Sequence, residues 1–131
     1  MKSSLTAPLT TEVFGKNIAI SPDGSRIGIV KRHGQEIRLV PLRGGQTKTI
    51  SVRGYPDLTE LNWAIDSQSM FVSTRNSDGA TLLRVALNGD AQSIWHQSQS
   101  TATWGFPSPD GRHLAILGAN SEANVWLIDN F

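Results

Sequence analysis

The chain has 131 residues, 38% hydrophobic and 18% charged, which is enough apolar material for one ordinary core and excludes disorder by composition. Twelve basic against eleven acidic residues leave a formal net charge of +1, without the basic footprint of a nucleic-acid binder. The absence of cysteine excludes disulfides, thiolate zinc sites and thiol nucleophiles, and no apolar run approaches the ~20 residues of a membrane-spanning helix.

In chain order, Met1-Lys2 leads into Ser3-Ser4-Leu5-Thr6-Ala7-Pro8 without the continuous apolar stretch of a secretory signal. No signal peptide is read, and a soluble chain fits either periplasm or cytoplasm. Residues 4–9 are strand-like, and Pro8 suits a sheet edge, where one ladder donor can be spared. Strands are then expected at 16–20, 26–30, 36–42 and 47–52, next at 60–64, 69–74, 80–87 and 91–95, and finally at 103–107, 113–117 and 123–129. Each is a short run rich in Ile, Val, Leu, Thr or Trp, bounded by Gly, Asp, Asn or Pro. No segment keeps a 3.6-residue apolar period over ten residues, so essentially no helix is expected.

The segments repeat. Ser21-Pro22-Asp23-Gly24 returns as Ser108-Pro109-Asp110-Gly111, each followed by an apolar strand. Midway lies a degenerate copy, Ala64-Ile65-Asp66-Ser67, so the turn aspartates Asp23, Asp66 and Asp110 stand 43 and 44 residues apart. Proline presets φ, aspartate bonds nearby backbone and glycine takes positive φ, which together make a tight turn. With Ile65 and Ser67 in place of proline and glycine, the middle turn is expected to be looser. A second landmark, Ile37-Arg38-Leu39-Val40 ending at Gly44-Gly45, recurs as Leu82-Leu83-Arg84-Val85 before Gly89 and as Val125-Trp126-Leu127-Ile128. A period of about 40–45 residues is that of one four-stranded propeller blade.

Together these motifs resemble the WD40-like Pro-Asp repeat of TolB-type bacterial β-propellers, over about residues 16–131. The resemblance implies an all-β chain of three four-stranded antiparallel blades: about 16–52, 60–95 and 103–131. Rings of this family often have six blades, so the chain is read as half of one. Each blade needs neighbours on both faces, and blade three lacks its outermost strand. A head-to-tail homodimer is therefore expected, with residues 4–9 completing blade three, in trans. The rival is a fragment of a longer single-chain TolB-like propeller.

No motif for chemistry stands out, so no catalytic residue, cofactor or metal is expected and the chain is read as a non-enzyme. The aspartates of the turns built by Pro22, Asp23, Gly24, Asp66, Pro109, Asp110 and Gly111 serve the blade. His33, His96 and His113 fall in different blades at different registers and are read as scattered surface residues. The expected function is protein–protein interaction or scaffolding, with a small-ligand sensor of a larger bacterial signalling or regulatory protein as the alternative. No nucleic acid or membrane partner is expected. Loops b–c and d–a should share one end of the propeller, and a binding face is sought there. Its candidates are Lys31, Arg32, His33, Arg53, Tyr55, Asp57, Arg75 and Asn76. Trp63 and Trp104, in or near innermost strands, are added as possible channel anchors, although core packing accounts for both.

Overall fold

The computed structural model of the chain describes residues 17–31, 33–119 and 123–129, so that Arg32 and the strand expected over residues 4–9 lie outside it. Eleven strands form three antiparallel sheets. Blade one holds β1 (Ile18–Ile20), β2 (Arg26–Val30), β3 (Glu36–Pro41) and β4 (Lys48–Ser51). Blade two holds β5 (Leu58–Trp63), β6 (Ser69–Arg75), β7 (Gly79–Ala86) and β8 (Ala91–Ser98). Blade three holds β9 (Ala102–Pro107), β10 (His113–Ala119) and β11 (Ala123–Asp129), with no fourth strand among the described residues. Each sheet runs in sequence order from its first strand outwards. No helix of the described residues is long and apolar enough to cross a membrane.

The turns that set the period share one geometry. Gly24 and Gly111 have φ of 71° and 72°, and Ser67 stands in the same place with φ of 60°. The hydrogen bond from that residue closes back to Ser21 O at 2.9 Å, Ser108 O at 2.9 Å and Ala64 O at 3.1 Å. The middle turn is therefore not the looser one expected. Ser67 is buried, and its Oγ accepts the backbone N–H of Asp23 at 3.1 Å, which ties blade two to blade one.

Strand alternation puts two different faces on each blade. In blade two, Trp63, Met70, Val72, Leu83 and Val85 pack with Ile37, Leu39 and Ile50 of blade one. On the other face, Phe71 and Leu82 pack with Leu114 and Ile116 of blade three. Glycine permits both approaches: a Cβ on Gly28 would meet Leu61 and Trp63 at 3.2 and 3.3 Å, and one on Gly105 would meet Leu82 at 3.0 Å. Polar ties reinforce the packing. Trp63 Nε1 donates to Ala19 O at 2.9 Å, and Asn62 Nδ2 donates to Gly105 O at 3.0 Å. Thr103 N donates to Ser73 Oγ at 3.2 Å.

The far side of blade three differs. Strand pairing aligns Trp104, Leu117 and Val125 in one row and Phe106, Ala115 and Leu127 in the next. Val125 and Leu127 are 69% and 66% exposed, whereas the residues at the place of Val125 in the other blades, Ile37 and Leu82, are 0% and 1% exposed. What covers those two is the following blade.

Candidate binding site

Loops b–c and d–a meet at one end of the blades. Across blades one and two, His33 N donates to Leu58 O and Leu58 N to Gly34 O, each at 2.9 Å, as a small antiparallel bridge. Asp57 gathers three contacts there. Its carbonyl accepts Arg75 N at 2.9 Å and Thr74 Oγ1 at 3.1 Å, and its carboxylate meets His33 Nδ1 at 2.7 Å. At the same end of blade two, Gln99 N, just after β8, donates to Asp78 O at 2.7 Å, and Asp78 Oδ2 meets His96 Nε2 at 2.7 Å. Thr81 Oγ1 contacts the other ring nitrogen of His96 at 2.8 Å. Asn76 Oδ1 accepts the N–H groups of Asp78 and Gly79, an Asx turn that fixes the loop.

The structure thus brings His33, Asp57, Arg75 and Asn76 to one end, with Lys31 and Arg53 exposed nearby in the same loops. Tyr55 is half-buried and packs on the core between blades one and two. Trp63 leaves the set. It is 2% exposed, sealed against blade one by its indole hydrogen bond, and offers no surface to a partner. The histidines are paired as well as dispersed: His113 Nδ1 bonds Asp129 on blade three, far in sequence from the other two pairs. Among the described residues, no three His, Asp or Glu side chains converge as a metal site would require.

The turn aspartates are occupied within their own turns. Hydrogen bonds from the Ser25 and Ser21 hydroxyls hold the Asp23 carboxyl down at about 2, and that from Ser108 lowers Asp110 in the same way. Asp66 Oδ1 accepts Gln68 N at 2.9 Å in the equivalent position.

A separate cleft lies along the innermost strands. It has a volume of about 180 Å³ and is lined by Ile18 of β1, Glu60 and Asn62 of β5, Phe71 of β6, and Trp104 and Phe106 of β9. Glu60 and Trp104 are half-buried, and two of their atoms, Glu60 Oε2 and Trp104 Nε1, are shielded from water without a hydrogen-bond partner. Counted from the turn aspartates, Asn17, Glu60 and Trp104 hold one repeated place. In blade one that place is satisfied, since Asn17 Nδ2 donates to Val30 O at 3.0 Å. Sequence reasoning singled out Trp104 and missed Glu60. The available signal was a lone acidic residue, Glu60, inside a strand otherwise made of Leu, Thr, Asn and Trp.

No protein-family model matches the chain, and no curated protein matches it. Solved structures do. A TolB from Agrobacterium tumefaciens superposes with a TM-score of 0.66 at 17% identity, over 85% of this chain and 44% of that one. A prolyl endopeptidase gives 0.62 at 17% identity, over 88% of this chain and 20% of its own. Hydrazine synthase of Kuenenia stuttgartiensis gives 0.64 at 21% identity, over 98% of this chain and 36% of its own. The chain therefore spans less than half the length of these proteins, and what it shares with them is the fold.

Proposed function

From a chain built as three blades of a TolB-like β-propeller, we propose a non-catalytic module that binds a partner protein through the loop end. The observation that carries this reading is the bracing at Asp57, which ties loops of blades one and two, and at Asp78, which ties the loops of blade two to each other, before any partner arrives. Side chains held on such a frame lose little freedom on binding, which lowers the cost of association. Lys31, Arg53 and Arg75 project from it and favour a partner surface rich in carboxylates.

The test compares the native chain with an Arg53→Glu/Arg75→Glu variant in affinity capture followed by binding measurements on the recovered protein. The reading expects a partner that the native chain holds and the double variant releases, with an affinity that falls as salt rises. Equal binding by both chains removes the loop end as the working surface.

We also propose that a second copy of the chain covers the open face of blade three, head to tail, closing a ring of six blades. Support comes from the rows ending in Val125 and Leu127, whose counterparts in the other blades lie beneath a following blade.

A further inference from the structure

We propose that a cleft between the β5–β6 turn of blade two and the β9–β10 turn of blade three binds a free α-amino acid with an apolar side chain. The inference is independent of the loop end, since Ser69 opens β6 at this end and Arg75 closes it at the other. Its starting point is Arg84 of β7, which lines the cleft together with Pro107 and Asp110 of blade three. Strand pairing sets Arg84 opposite Phe71 and Leu39 opposite Gly28, so Arg84 and Leu39 hold one repeated place. Leu39 fills that place in the core between blades one and two, at 3% exposure. Arg84 puts a half-buried guanidinium there instead. The neighbouring turn departs as well. Ser67 bonds the turn of blade one, whereas its counterpart Gly111 has no side chain to bond the turn of blade two. What closes the first junction is thus missing at the second, where a cleft of about 340 Å³ stands. Places where a chain breaks its own packing rule are where function is expected.

The lining specifies the ligand. Arg84 Nε donates to Ser69 Oγ at 3.2 Å, which turns the guanidinium toward the β5–β6 turn. That is its one side-chain hydrogen bond among the described residues, and none of their ion pairs includes it. The remaining N–H groups form a fork that matches a carboxylate. Asp66 and Asp110 line the same cleft, one from each turn, and both are exposed. Each uses Oδ1 within its own turn, to accept Gln68 N and Arg112 N, which leaves Oδ2 for a donor. Neither pairs with Arg84, so the cleft holds opposite charges that a bridging molecule can join. A simple anion would meet two carboxylates, and a simple cation would meet the guanidinium. A zwitterion answers both. Ile65, Phe71 and Pro107 supply an apolar wall for its side chain. Ligand pockets start at about 300 Å³, so the cleft suits a single amino acid and not a long peptide.

The probe is L-leucine, against leucinamide, which lacks the carboxylate, and N-acetylleucine, which lacks the ammonium. Titration of the full chain is followed through the δ-methyl resonance of Ile65 by NMR, with calorimetry in parallel. That methyl lies over the turn of blade three, where a Cβ on Gly111 would meet it at 2.6 Å. Leucine is expected to shift the resonance saturably, and each analogue to bind at least about tenfold more weakly, as loss of a charge-assisted hydrogen bond requires. Arg84→Leu installs the residue that the repeat carries at Leu39, so it should hold its melting temperature. Its affinity for leucine should fall at least about tenfold. Arg84→Lys keeps the charge without the fork and should fall between that variant and the native chain. Absence of a saturable shift overturns the proposal, as does undiminished binding by Arg84→Leu or equal binding of either analogue.

Discussion

Ser67 stands with φ of 60° where its counterparts are glycine, and side chains other than glycine occupy that region at a cost of about 1 kcal/mol. Its hydroxyl offsets the strain by accepting Asp23 N from the neighbouring blade. Ser67→Gly should therefore be nearly neutral, since it relieves the backbone and loses a hydrogen bond of similar worth. Ser67→Ala keeps the strain and loses the bond, and should cost about 1 kcal/mol in urea unfolding. Legibility at this scale was uneven for a physical reason. The turn's path was readable from spacing, but a hydroxyl replacing glycine found its partner on another blade, which no local pattern encodes. Asp23 gives a pH-dependent prediction. Its carboxyl is lowered from 3.8 to about 2, so it contributes stability above the unfolded value that is lost as pH falls through the folded one. Acid titration of Asp23→Asn should show a shallower loss of stability across that window, and Asp110→Asn should act in the same direction.

At the scale of the element, Trp63 and Trp104 part company by parity. Both lie on innermost strands, yet they stand an odd and an even number of residues before their turn aspartates, and so face opposite neighbours. Trp63 enters the core shared with blade one, while Trp104 points the other way. The strands themselves were legible, because short apolar runs between turn residues carry their own signal. β8 ran further than expected, to Ser98, because its polar end pairs with β7 at the sheet edge and shows no apolar alternation. Glu60 was marked in the sequence only as a lone acidic residue in its strand, because its surroundings depend on what stands across the gap between blades. Three substitutions test the packing. Trp63→Phe should cost about 1–2 kcal/mol by orphaning Ala19 O, and Trp63→Ala about 3–5 kcal/mol. Gly105→Ala inserts a methyl against Leu82 and Phe71 and should cost about 1–3 kcal/mol. Denaturant midpoints measure all three.

For the whole molecule, stability is a sum of blades and the contacts between them. The proposed second copy on blade three would add one more such contact and so make the melting temperature rise with protein concentration. Val125→Lys/Leu127→Lys should abolish that rise and halve the mass seen by light scattering. Stability of the isolated chain should change by no more than about 0.5 kcal/mol, because both side chains are exposed within it. A native chain that stays monomeric at high concentration, with a concentration-independent melting temperature, rejects the six-bladed ring.

Asn62 and Trp63 are consecutive, yet one bonds forward to Gly105 and the other back to Ala19. A slip of β5 by a single residue would exchange their directions, aiming the indole at a backbone placed for an amide and the amide at one placed for an indole. The middle blade thereby checks its own alignment against both neighbours at once. Mispaired forms lose two hydrogen bonds together, and this discourages the strand exchange to which repetitive sheets are prone.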